Sequence, residues 1–597
     1  MVEAVAQQVT GAEEVVWNLA DLAPSITDES IKAILDGVLK DADAFAAKYR
    51  GRVASLSAAE MVEALNAAEA IVDPVIRLSS YAGLQWTTDT NNADFGALMQ
   101  RLREFDAQLQ QTLLFFTLEW TNAPDESTRI LTDSLLKPFK HYLAKERQLR
   151  PHRLSEPEEK ILEEKSVTGR GAWGRFFTQT LSATQYELDG QKYPQEVVLK
   201  KLYDADRDMR LKAATSITNG LRSQLPTLTY VFNVALADKF SDDKLRKFPT
   251  WISARNLDNE ASDQSVDALI SAVTSRYDIV ARYYALKKQL LGYGELYDYD
   301  RYAPLEQAES FYSWAHARDM ILAAFYAFDP QIGSIAQEFF DKRWIHAPVT
   351  QGKRSGAFAS PTSTQVHPYI FVNYRGKGRD VMTLAHELGH GIHMRLSQPR
   401  GMYGASTPLT TAETASVFGE MMVFNDLMVR ERNPHAKLSM LAQKIEDTFA
   451  TVFRQISMNR FEDAIHTARR TTGELRSEQI GEYWMQTQRA MFRDSVTLRD
   501  DYSVWWSYVS HFISVPGYVY AYAFGELLVM ALLAEYRKQG NSFAPRYIEM
   551  LAAGGSESPE NIVAKVGINL NDPNFWAGGV TMIEDMVLQA EKLVEQL

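Results

Sequence analysis

Apolar side chains recur at three- and four-residue spacing through most of this chain, the rhythm of helices that bury one face. It is clear in "SIKAILDGVLKDADAFAAKYRG", which Gly51 closes, and in "ADFGALMQRLREFDAQLQQTLLFFTLEW". "SAAEMVEALNAAEAIVDPV" opens on a Ser-x-x-Glu cap, Ser57 to Glu60. Further helices are expected near 205–240, 263–292, 309–328, 434–469, 475–492 and 575–596. The run "YVYAYAFGELLVMALLAEY" at 518–536 is broken by Gly525 and Glu526 and is too short on either side to span a bilayer, so a buried helix is expected.

Period-two patterning is rare. "TQYELDGQKYPQEV" reads as a hairpin turning at Asp189-Gly190, and "VHPYIFVNYRGKG" at 366–378 reads as a strand. The pattern predicts a mainly α fold with a small β-sheet beside the motif described below. A chain of 597 residues is too long for one simple core. The hairpin interrupts the helices within 183–205, which suggests an N-terminal helical region over 1–200 and a second region over 201–597.

Composition narrows the chemistry. A formal net charge of −13 argues against a general nucleic-acid binder. With no cysteine, disulfides and thiolate metal sites are excluded, so any zinc must be held by histidine and carboxylate. The opening "MVEAVAQQVTGAEEVVWNLADL" has no basic-then-apolar leader pattern, and a cytoplasmic protein without a membrane span is the expectation.

The sharpest motif is "HELGHGIH" at 386–393. Residues four apart on a helix project from one face, so His386 and His390 can direct two imidazoles at one ion. Glu387 leaves the helix about 100° away from His386, where it can serve a water rather than the metal. Gly389 and Gly391 each lower helix propensity by roughly 1 kcal/mol relative to alanine, so close approach of a backbone or a substrate is the better reason for them. The plain alternative is a pair of core histidines.

A catalytic zinc site needs a third protein ligand and an open position. The metzincin pattern would place a histidine at 396, where Leu396 stands, and His393 lies a turn too far along the axis. The candidate is Glu413 in "TPLTTAETASVFGEMMVFND", read as opening a second helix that returns beside the first. Glu420, seven residues on, falls on nearly the same face and can hydrogen-bond a ligand histidine. A solvated helix start for Glu413 and a surface charge for Glu420 remain the alternatives.

Three blocks together resemble the oligoendopeptidase F and thimet-oligopeptidase family of zinc peptidases: "HPYIFVNYRGKGRDVMTLAHELGHGIH", "AETASVFGEMM" and "WSYVSHFISVPGYVYAYAFGELL". Weaker similarity reaches "WNLADLAPS" at 17–25. The resemblance implies two largely helical lobes flanking a deep substrate channel. It implies one Zn2+ per chain on His386, His390 and Glu413, with Glu387 as general base. The strand ahead of the motif helix, with His367 and Tyr369, resembles the edge strand that pairs with a bound peptide, and Gly356, Ala357 and Phe358 are placed in the same cleft, with a turn as the alternative for the glycine. His511, Tyr518 and Tyr522 match a segment that steadies the oxyanion; an aromatic core stripe is the alternative.

The expected activity is zinc-dependent hydrolysis of internal bonds in short unstructured oligopeptides, by a monomer or homodimer. A zinc aminopeptidase would carry an acidic motif for a free N-terminus upstream of the helix, and none is seen over 345–385. A peptide-binding module without turnover would be free to lose Glu387.

Overall fold

The computed structural model describes residues 9–23, 26–305 and 311–597. Residues 1–8 of the N-terminal stretch, Pro24 and Ser25 of the opening block, and 309–310 of the helix expected over 309–328 lie outside the described residues. The chain divides into two compact units, each assembled from three stretches. One comprises 1–150, 309–430 and 535–568; the other comprises 151–308, 431–534 and 569–597. The fold is mainly α with small sheets.

In the first unit, the helix Asp28–Tyr49 stops where Gly51 takes φ +79°, a backbone state that costs glycine little. The helix Ala58–Thr88 starts at the expected box: Ser57 Oγ accepts from Glu60 N (3.3 Å) and Glu60 Oε2 accepts from Ser57 N (2.9 Å). These two helices and Ala93–Asn122 bury their apolar faces together, with Phe45 centred 5.6 Å from Phe116.

The second unit is organised on the long helix Arg207–Leu245, whose Phe232 packs against Trp506 at 5.1 Å and Phe461 at 6.3 Å. Its hairpin pairs β1 (Tyr186–Leu188) with β2 (Gln191–Tyr193), and both turn residues have positive φ, Asp189 at 50° and Gly190 at 77°. Two long helical expectations divide. The 263–292 stretch forms Asp263–Thr274 and Tyr277–Leu290. The 434–469 stretch forms Pro434–Thr451 and Phe453–Thr472, broken at Val452, where ψ reaches −72°. The 518–536 run is a helix from Tyr520 to Gln539 with Leu527, Leu528, Val529 and Met530 fully buried. Among the described residues no helix is long and apolar enough to cross a membrane.

A three-stranded sheet in the first unit carries β3 (Ile345–His346), β4 (Phe358–Ser360) and β5 (Tyr369–Phe371) in the order β3-β5-β4. β5 runs parallel to β3 and antiparallel to β4. This corrects the reading that the strand just ahead of the motif helix is the edge. β5 is paired on both sides and all three of its residues are buried, whereas β4 is the half-exposed edge. The aromatic and β-branched residues that made 366–378 a strong strand signal suit a central strand better than an open one.

In the second unit Asp300 is fully buried, with Arg207 Nη2 at 2.7 Å and Arg210 Nη2 at 3.0 Å. Asp300→Ala leaves the buried Arg210 guanidinium without its carboxylate and is expected to lower unfolding free energy by about 3–5 kcal/mol in urea titrations. A change below about 1 kcal/mol would show that the ion pair is dispensable.

Candidate metal centre

The motif helix runs from Gly378 to Ser397. Asp380 secures its start by accepting from the backbone N–H of Arg375 (2.8 Å) and Lys377 (3.0 Å). Val381, Leu384, Ala385, Leu388 and Ile392 are buried, which fixes the helix's rotation and turns His386 and His390 the same way. Their ring centres lie 5.0 Å apart with the planes at 82°.

The two glycines mark where other elements come close. A Cβ on Gly389 would sit 2.4 Å from the Ala415 carbonyl oxygen and 2.6 Å from Ser416 Cα, and one on Gly391 would sit 2.6 Å from Phe339 Cζ. Without side chains, the motif helix lets the Ala415–Ser416 backbone lie directly against it. That contact delivers Glu413. The glutamate does not open a helix, as the spacing suggested. It caps the short helix Leu409–Ala412 at φ −82°, ψ 0°, three residues before the helix Ser416–Arg430 begins. Ser416 explains the offset, since its Oγ donates to Glu413 Oε2 (2.7 Å) and holds the carboxylate back over the turn.

Glu413 Oε2 lies 3.4 Å from His386 Nε2 and 3.3 Å from His390 Nε2, and the three donor atoms all fall within 4.8 Å of one another. Ligands about 2.0–2.1 Å from a tetrahedral ion stand about 3.3 Å apart, so this set fits one small divalent cation. Glu420 Oε2 lies 3.2 Å from His386 Nδ1. A carboxylate there favours the tautomer with its proton on Nδ1, which leaves Nε2 as a bare lone pair facing the Glu413 oxygen. Acceptors facing one another at this distance require a proton or a metal ion between them.

The electrostatics agree. Burial pushes Glu413 up, but the hydrogen bond with His390 and the charges of both imidazoles outweigh it and hold the carboxyl at about 2. Burial pulls His386 down, yet Glu420, Glu413 and Glu387 bring its net shift upward. Glu387, only 7% exposed, is raised chiefly by burial, with the two histidines opposing. The backbone N–H of Ala359 on β4 also opposes the rise, which places the general-base candidate near the sheet's edge strand.

A cavity of about 480 Å3 adjoins this group, bordered by Glu387 and His390 and lined by Ala357 and Phe358. Phe358 stacks on Phe371 at 4.8 Å. Gly356, at φ +87°, is a turn residue whose carbonyl accepts from Asn373 Nδ2 (2.9 Å). His367 and Tyr369 belong to the sheet's packing. The His367 ring stacks on Trp344 at 3.8 Å with Nε2 3.0 Å from Asp21 Oδ2, and the buried Tyr369 donates to the Asn18 carbonyl at 2.9 Å. Neither lines the cavity. Glu69 and Asp73, from the helix Ala58–Thr88, do line it. No sequence motif marks them, because they lie some three hundred residues from the motif along the chain.

His511, Tyr518 and Tyr522 form a cluster within the second unit. His511 Nε2 is 3.2 Å from Tyr522 Oη, and the two tyrosine rings meet edge-on at 5.1 Å. Tyr518 precedes the helix that contains Tyr522, while Tyr520 is fully buried and its hydroxyl accepts from Asn259 Nδ2 (3.0 Å). Burial, aided by Arg454, holds His511 below the ordinary histidine range.

A sequence model of Peptidase family M3 matches residues 201–580, and a model of Oligopeptidase F matches residues 119–186. Oligopeptidase PepF of Bacillus subtilis is 25% identical over 97% of this chain and 87% of its own length. A solved structure from Chlamydophila abortus superposes with a TM-score of 0.87 at 22% identity, covering 97% of this chain and 98% of that one. Oligoendopeptidase-F from Enterococcus faecium gives a TM-score of 0.70 at 19% identity over 96% and 100%.

Gly389→Ala tests whether the close helix approach builds the donor set. The added methyl should destabilise the fold by about 2 kcal/mol and weaken metal affinity more than tenfold with all three donors intact. Unchanged affinity in a metal titration would show that the approach is not needed.

Proposed function

The chain belongs to peptidase family M3, metallopeptidases that hydrolyse peptide bonds, and on that premise we propose a zinc-dependent oligoendopeptidase centred on His386, His390 and Glu413. The convergence of three lone-pair donors on one point, beside a buried carboxyl and an open strand edge, supports this reading. Zinc suits two imidazoles and a carboxylate, with one ion per chain. Residues 1–200 and 201–597 are proposed as the N-terminal and catalytic regions of the sequence.

A divalent ion held by His386, His390 and Glu413 would supply Lewis acidity toward the scissile carbonyl and water. The remaining work falls to the chain. β4 offers its free edge to the extended backbone of a short, unfolded oligopeptide, adding it as a further strand. Glu387 takes a proton from the attacking water and passes it to the departing amine. Its burial raises its basicity toward what that shuttle needs. Glu420 positions His386 through Nδ1. Tyr518, Tyr522 and His511 are the hydrogen-bond donors we assign to the oxyanion. A phenol is neutral and able to donate at neutral pH.

Internally quenched peptides blocked at both ends should be cut at an internal bond, and metal analysis should return one zinc per chain. Glu387→Gln should retain zinc and lose about a thousandfold in kcat. Glu413→Ala should release metal on dialysis. A Glu387→Gln enzyme with near-normal turnover, or stoichiometric zinc in Glu413→Ala, would overturn these roles, and cleavage confined to peptides with a free N-terminus would make the protein an aminopeptidase.

A further inference from the structure

The cavity beside Glu387 has a composition of its own. Its walls are largely apolar, with Ile76, Phe358, Pro361, Met394 and Met402 among them. Glu69 and Asp73 stand four apart on one face of the helix Ala58–Thr88 and bring two carboxylates to that apolar space. No lysine or arginine is among the described residues that line it. Each carboxylate is held by the fold. Glu69 Oε1 accepts from Thr364 Oγ1 (3.1 Å) and Met402 N (2.9 Å), and Asp73 Oδ1 accepts from Ser363 Oγ. The donors are neutral, so the negative charges are oriented without being cancelled.

His393 is a second, independent feature. It lines the same cavity at 6% exposure, and among the described residues its ring has no hydrogen-bond partner. A buried polar ring facing a cavity without a partner asks for one from an occupant. Burial, with His390 adding to it, holds His393 down at about 4, so the ring offers an acceptor without a positive charge that would repel a cation.

We propose that Glu69 and Asp73, with His393, make this cavity a pocket for a lysine or arginine side chain of the peptide substrate. The side carried by the pocket follows from the catalytic roles, and to that extent the proposal rests on the metallopeptidase reading. Of the four residues of the metal centre and base, the cavity is bordered by Glu387 and His390 but not by His386 or Glu413. Glu387 is the group that returns the proton to the amine. The pocket therefore receives the side chain of the residue whose nitrogen departs, the one directly after the cut. A lysine or arginine stem lies along the apolar walls while its charged head reaches the carboxylates.

The test is a series of quenched peptides, blocked at both ends and differing only in the residue after the cut: lysine, arginine, norleucine or glutamate, with the cut located by mass. Lysine and arginine should exceed norleucine in kcat/KM by about tenfold and glutamate by a hundredfold or more, the range of one or two charge-assisted hydrogen bonds. In the Glu69→Gln/Asp73→Asn double variant the lysine-to-norleucine ratio should fall to near one. The two single variants, read by the same ratio, keep the test open if the double variant fails to fold. Equal cleavage of lysine, norleucine and glutamate peptides overturns the pocket and leaves the metallopeptidase intact. So does a ratio unchanged in every variant. A protein that binds zinc but cleaves none of the series defeats the peptidase reading, and the pocket with it.

Discussion

The close packing of one backbone against one helix underlies everything at this site. Gly389 has no side chain, so the Ala415–Ser416 peptide lies where a methyl group would have been. The histidine pair is a local product of helix geometry, but two imidazoles do not complete a three-donor metal site. The third donor comes from a turn that reaches them only because the motif helix is bare at that position. Any residue with a Cβ would push the turn away, and the lone pairs at 3.3 and 3.4 Å would separate.

Electrostatics then reinforce what packing begins. Three lone-pair donors converging without a cation are mutually repulsive, and Glu420 sharpens this by favouring a proton on the far side of His386. The arrangement is tolerable in a folded protein because an ion, or protons in its absence, occupies the centre. Glu387 illustrates the opposite use of burial. Its surroundings favour the proton-bearing form, and the adjacent imidazoles moderate that preference, a balance that suits the proton shuttle proposed for it.

The apolar cavity joins the same economy of position. Its acidic residues come from a helix early in the chain, its edge strand from the middle, and its floor from the second half of the motif helix. The helix that presents the metal donors through His386 and His390 thus presents His393 to the neighbouring space one turn later. On the proposed reading specificity and chemistry share one rigid element, and a side chain seated in the cavity would fix the scissile bond relative to Glu387.

What the amino-acid sequence determined is whatever depends on near neighbours. The cap at Ser57, the Asp189-Gly190 turn, the buried helix after Tyr518 and the shared face of His386 and His390 each follow from residues a few positions apart. Glu413 was within reach because a loop and a returning segment have limited lengths, although the glutamate lies in a turn and not in the helix that spacing suggested. Tertiary structure alone decided which strand is the edge, since a strong strand pattern in 366–378 does not say on how many sides it will be paired. It alone brought Glu69 and Asp73 to the cavity, because a glutamate and an aspartate on an amphipathic helix have no local mark to distinguish a pocket wall from a solvated face.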